Sequence, residues 1–146
     1  MLVHEATLNF QLVHYGEDEP LTTTKRLLAY LTQGLPDSTE ESFWIVCMNP
    51  KRRPICRLRL GTGPLVVTRV GVRQIFHAAL LAEARAFACL RTASEPVPQS
   101  SPADGRLIFG LSETANHMGI ELADYLIAKL DTLDYHSWRE HGHRAL

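Results

Sequence analysis

The sequence predicts an α/β protein of the α+β type, with one mixed β-sheet flanked by about three helices. Three observations carry that expectation. Two unbroken apolar runs, residues 43–48 (FWIVCM) and 86–90 (AFACL), have the length and the β-branched and aromatic content of strands buried on both faces. Around them lie stretches with apolar residues at helical spacing, bracketed by cap and stop signals. A hairpin pattern also sits beside helix crossovers, so parallel and antiparallel pairs share the sheet. The 146 residues are 45% apolar, 21% charged and 8% aromatic, which suits one folded domain and excludes a disordered or low-complexity chain.

Residues 2–15 alternate apolar and polar side chains, with Val3, Leu8, Phe10 and Leu12 among the apolar ones, as a half-buried strand would, and residues 16–20 (GEDEP) end it. Thr22, Thr23 and Thr24 offer hydroxyl caps to a helix carrying Leu27, Leu28 and Leu31, which Gly34 and Pro36 stop. After a polar linker at 37–40, the run 43–48 belongs at the centre of the sheet. A turn with two prolines (49–54) returns the chain into 55–60 (ICRLRL), a hairpin partner with Arg57 and Arg59 on its solvent face. Gly61 to Pro64 break that strand, and 70–85 forms an amphipathic helix with Val72, Ile75, Phe76, Ala79 and Leu80 on one side. The strand 86–90 leads into a loop at 91–101, rich in Ser, Thr and Pro, of the kind that carries sites on a rigid sheet. Ser101 as N-cap and Pro102 at N1 open a third helix, bearing Leu107, Ile108, Leu111, Ala115 and Met118 and stopped by Gly119. Residues 120–130 and 135–138 are the remaining strands, and 140–146 is a surface segment.

Fifteen Lys and Arg against sixteen Asp and Glu leave a formal charge of −1, so bulk electrostatics does not draw the chain to nucleic acid or an anionic membrane. No apolar run approaches the roughly 20 residues of a spanning helix, and the first ten residues lack a signal peptide's order, so a cytoplasmic protein is expected. Cys47, Cys56 and Cys89 lie in apolar stretches without CxxC spacing and read as small buried thiols.

Shorter motifs punctuate this order. Glu41-Ser42-Phe43 leads into the first buried run, Gly61-Thr62 follows the hairpin, and Val72-Arg73-Gln74-Ile75-Phe76 opens the second helix. Ser101-Pro102-Ala103-Asp104 opens the third, Gly119-Ile120 and Asp124-Tyr125 follow it, and 135–140 (YHSWRE) closes the series. In order and spacing the chain resembles the RadC-like proteins, which carry the JAB/MPN (JAMM) fold of zinc-dependent deubiquitinases and isopeptidases. Their corresponding pieces are Glu-x-Phe, a Gly-Thr turn, Pro-Arg-Glu-Val-Phe, Pro-Ser-x-x-Asp, Gly-Ile with Asp-His, and Tyr-x-Ser-x-x-Glu. The resemblance covers nearly the whole chain. It implies a JAB/MPN-like (cytidine-deaminase-like) mixed sheet in one domain over residues 1–140, with a C-terminal tail at 141–146.

The family's chemistry uses a His-x-His pair about ten residues before an Asp to hold zinc, with an upstream Glu as general base. Here Arg91 and Ala93 stand where those histidines would be, and Glu41, Ser101 and Asp104 keep the family positions of the general base, the supporting hydroxyl and one ligand. A single carboxylate does not hold a catalytic zinc, so no cofactor is expected and the cleft is vestigial. On a strand, residues 91 and 93 share a face, so Arg91 is expected to enter the vacated pocket and pair with Asp104 or Glu41; the alternative is a wet pocket with Arg91 in solvent. Three function classes follow: a non-catalytic module that binds itself, a catalytic JAB partner or another protein; a divergent JAMM-type hydrolase using Glu41 or Asp104 as acid and base; and a nucleic-acid accessory associated with DNA repair. The last would use Lys51, Arg52, Arg53, Arg57 and Arg59, whose simpler reading is solvated charge on a hairpin. His136, His141 and His143 offer a ligand spacing too, but a surface tail is their simpler reading. His117 suits the negative end of the third helix.

Overall fold

The computed structural model describes residues 2–4, 19–35 and 40–141. The strand expected at 2–15, beyond residue 4, lies outside the described residues, as do 37–39 of the linker and 142–146 of the tail. The elements run α1 (Thr24–Thr32), β1 (Ser42–Met48), β2 (Pro54–Thr62), a single 3-10 turn (Val66–Thr68), α2 (Val72–Leu81), β3 (Ala86–Thr92), α3 (Pro102–Met118), β4 (Glu121–Ala128), β5 (Tyr135–Ser137) and α4 (Trp138–His141). The five strands among the described residues form one sheet in the order β2-β1-β3-β4-β5. Among the described residues only β3 and β4 pair in parallel, and α3 is the crossover between them, as a parallel pair requires. The described residues thus form a mixed α+β sheet with three principal helices and a single-turn fourth.

Period-two alternation divides the sheet's side chains between two cores. Phe43, Ile45, Cys47, Phe87, Cys89, Tyr125 and Ile127 face α2 and α3, where Ile75, Phe76, Ala79, Leu107 and Leu111 meet them. Val46, Met48, Ala88, Leu90, Leu126 and Ala128 face α1 through Leu27, Leu28 and Leu31. Both faces are covered, which is why β1 and β3 read as unbroken apolar runs. The run 43–48 lies one place from the centre, however, and the middle strand is β3, buried at all seven positions. Double-sided burial follows from helices above and below, so it does not single out the middle strand.

Local signals mark the helix ends. Thr23 caps α1 by accepting from the Arg26 amide at 3.2 Å. Ser101 caps α3 within a capping box closed by Asp104, and Gly119 ends that helix at φ 67°, a left-handed conformation that glycine adopts without steric cost. The second helix is shorter than the 70–85 expected, because Val70 turns into the core and the chain reverses at Glu83 with φ 55°. On the α1 face a buried Asp124 ties four elements together. Its carboxylate accepts from the Ser137 hydroxyl (2.7 Å), the Thr24 hydroxyl (3.3 Å), the Tyr125 amide (2.7 Å) and the Arg139 amide (3.0 Å). That carboxylate has paid for its burial with four hydrogen bonds.

Candidate functional site

Three chain segments converge where β1 begins, β3 ends and α3 begins. Phe43 on β1 lies opposite Arg91 on β3, so Glu41, just before β1, is brought beside the end of β3. The third strand runs two residues further than its apolar pattern predicts, so Arg91 and Thr92 belong to the sheet and not to the loop. Thr92 is held there by β1, its hydroxyl oxygen lying 2.7 Å from the Ser42 amide that donates to it. Strand geometry then aims Arg91 at the α3 side of the sheet, where its side chain is 4% exposed.

The Arg91 guanidinium forks onto Asp104: Nε donates to Oδ1 at 2.9 Å and Nη2 to Oδ2 at 2.7 Å. Asp104 is at the third position of α3 because Ser101 caps that helix, and this fixes the carboxylate at the strand end. Oδ1 also accepts from the Tyr125 hydroxyl at 2.6 Å, and Oδ2 from the Ser101 amide and hydroxyl, each at 2.8 Å. Burial pushes the Asp104 carboxyl up, but the hydrogen bonds from Arg91, Tyr125 and Ser101 outweigh it and hold the group below the ordinary carboxylate range. Burial disfavours the Arg91 cation, and its bonds to Asp104 and Glu95 more than offset that, leaving it above the ordinary arginine value. The Tyr125 phenol is pushed well above its usual range by burial and by the neighbouring Asp104 charge.

Arg91 spans the two carboxylates unequally. Nη2 also reaches Glu95 at 3.2 Å and the Gln99 carbonyl at 3.3 Å, whereas Nη1 stands 4.0 Å from Glu41. Glu41 is held by the Leu65 amide at 2.9 Å and the Ser94 hydroxyl at 3.1 Å. It also lines an open cleft of about 290 Å³ with Glu40, Pro64, Leu65 and Ser94. Asp104 is fully buried behind Arg91. Ala93 carries no polar group and packs against the core beneath α2 and α3.

The zinc that the resemblance implies does not fit this arrangement. Five donors occupy the oxygens of Asp104, and the positions that the resemblance assigns to two histidines hold an arginine and an alanine, which supply no zinc ligand. Among the described residues no three His, Cys, Asp or Glu side chains converge elsewhere. His136 and His141 stack ring on ring at 4.5 Å, and His143 lies outside the described residues.

The basic hairpin does not present a single positive face. Lys51, Arg52 and Arg53 sit on the turn at the opposite pole, where Arg52 pairs with Glu121. Arg59 is exposed, as expected of it, whereas Arg57 is partly buried. Both lie over the Trp44 ring, at 5.2 and 5.9 Å from its centroid, and Arg57 donates to the Tyr30, Leu31 and Gln33 carbonyls at the end of α1. Arg57 therefore closes a helix C-terminus, a structural task that accounts for its charge. Tyr125, Ser94, Glu95 and Leu65 are site residues that motif spacing did not reveal. Tyr125 alone left a signal, a phenol in an otherwise buried strand whose hydroxyl needs a partner.

This three-layer arrangement, with a mixed five-stranded sheet between helices, is consistent with a JAB/MPN-like domain. The RadC-like JAB domain model matches residues 21–143, and the chain belongs to that family. It is similar to a UPF0758 protein of Chlorobaculum parvum, 26% identical over 113 residues, covering 77% of this chain and 50% of that protein. A UPF0758 protein of Chlorobium chlorochromatii is 22% identical over 132 residues, covering 89% and 59%. One from Coprothermobacter proteolyticus is 26% identical over 98 residues, covering 67% and 42%. The chain spans about half the length of these curated relatives. Among the described residues no helix is long and apolar enough to cross a membrane.

Proposed function

We propose that this chain is a metal-free JAB domain that works in the cytoplasm by binding protein, as a recognition or scaffold module, and does not hydrolyse isopeptide bonds. The reading is carried by the bidentate fork of Arg91 on Asp104. A fixed organic cation stands where the family places its metal, and it uses the lone pairs that a metal would need. Admitting zinc would require breaking a buried, hydrogen-bonded ion pair and leaving the guanidinium without a partner, which is strongly unfavourable. The binding half of the reading is supported by the mouth of the cleft. Leu65 lines it beside the Glu41 carboxylate and Val97 lies on the loop that carries Ser94, and these large apolar side chains are 68% and 69% exposed. Apolar anchors around a few fixed polar groups are what a protein-binding surface uses.

Zinc content separates this reading from the hydrolase. Untagged protein purified without chelator is expected to hold less than about 0.1 zinc per chain, and added zinc is expected to leave its melting temperature unchanged, since a specific ligand must stabilise the native state. The double variant Arg91→His, Ala93→His rebuilds the family's ligand pair and is expected to take up zinc and to melt higher with it. Near one zinc per wild-type chain, lost on Asp104→Ala, would overturn the proposal and restore the isopeptidase reading.

A further inference from the structure

The hairpin carries a feature unrelated to the cleft. Cys47 on β1 and Cys56 on β2 are register partners in the antiparallel ladder. Directly opposed residues place their Cα atoms about 4.5 to 5.5 Å apart with side chains on one face, within the span a disulfide bridges without backbone movement. Both thiols are free. Cys47 is fully buried, whereas Cys56, expected to be buried as well, is half-buried because β2 is the edge of the sheet.

We infer that Cys47 and Cys56 form a redox-active dithiol, with Cys56 as the attacking thiol and Cys47 as the resolving one, closed to a cross-strand disulfide by small-molecule disulfides. Exposure assigns the order, since a reagent reaches Cys56 first. The local electrostatics agree: the interaction of the two thiols lowers Cys56 from the usual thiol value and raises Cys47, with burial raising Cys47 further. In the first step the Cys56 thiolate attacks one sulfur of a disulfide RS–SR, the S–S bond breaks and RS⁻ leaves. Cys47 then loses its proton to solvent or to RS⁻ and attacks the Cys56 sulfur, expelling the second RS⁻. Two protein thiols are oxidised and one disulfide is reduced to two thiols. The product staples edge strand β2 to β1, and so fixes the strand that carries Arg57 to the strand that follows Glu41. Cys89 takes no part, because it is buried and burial pushes its thiol well above the usual range.

Titration of the folded protein with 5,5′-dithiobis(2-nitrobenzoate) tests this. The wild type is expected to release two thionitrobenzoate ions per chain while losing two hydrogen masses, with peptide mapping placing the bond between Cys47 and Cys56. Cys47→Ser is expected to release one and keep a stable adduct on Cys56, and Cys56→Ser to react at least about tenfold more slowly than wild type, as a buried thiol of raised pKa does. A lasting adduct on Cys56 in the wild type, a bond to Cys89, or reaction only under denaturing conditions would overturn the inference. If the serine variants are poorly folded, the wild-type mass and peptide map still decide.

Discussion

Arg91 and Asp104 show how one buried contact decides what a site can do. Each is charged, each is almost wholly removed from water, and each is tolerable only because the other is there. Arg91→Met is therefore expected to cost about 3 to 5 kcal/mol at neutral pH, the usual penalty for leaving one buried charge unpaired. The pH dependence gives a sharper test. In the wild type Asp104 titrates below its unfolded value, so its contribution is complete above the unfolded carboxylate pKa of about 4 and is lost as pH falls through the lower folded value. In Arg91→Met the fork is gone and burial dominates, so the carboxyl moves up and protonation relieves the variant as pH falls. Urea melts at neutral and acid pH should show the gap between the two proteins narrowing in acid. A constant gap would mean that Arg91 stabilises by packing and not by charge. Tyr125→Phe removes the 2.6 Å donor to Asp104 and should cost about 1 to 2 kcal/mol, less than the arginine because no charge is orphaned.

At the scale of elements, α3 holds the site in register, and its glycines distinguish packing from propensity. A Cβ on Gly110 would sit 2.8 Å from a Val72 methyl on α2, closer than atoms approach, and Val72 is too stiff at χ1 to yield. A Cβ on Gly105 meets nothing within 4 Å. Thermal melts should accordingly show Gly105→Ala gaining up to about 1 kcal/mol from helix propensity, whereas Gly110→Ala gains nothing or loses stability as the helices are forced apart. Equal gains at both positions would refute close packing between α2 and α3. The first helix is closed differently, by a side chain from another element, since Arg57 of β2 donates to three carbonyls at its end.

Across the whole molecule, the sheet is covered by α1 on one side and by α2 and α3 on the other, so protection should fall from the middle outward. Native-state hydrogen exchange is expected to be slowest in β3, buried at every position, and fastest among the strands in β5, which is three residues long at an edge. Comparable exchange in β3 and β5 would contradict the three-layer core. The order of elements was legible because burial on both faces writes continuous apolar runs, as at 43–48 and 86–90, and because caps are local: Thr23 and Ser101 need only the residues that follow them. Family membership was legible in motif spacing. What those polar residues touch is a different matter. The extension of β3 through Arg91 and Thr92 breaks the apolar pattern, because its partners are Ser42 on one side and Asp104 on the other, far away in sequence. The same holds for Arg57 folding back on α1, for Tyr125 reaching Asp104, and for Cys56 lying half-buried opposite Cys47. Periodicity and capping are short-range consequences of backbone geometry, so the sequence by itself determined the elements and their order. The partner of each buried charge depends on where distant segments come to rest, and only the tertiary structure decided that the Arg91 guanidinium seats on Asp104 and stands farther from Glu41.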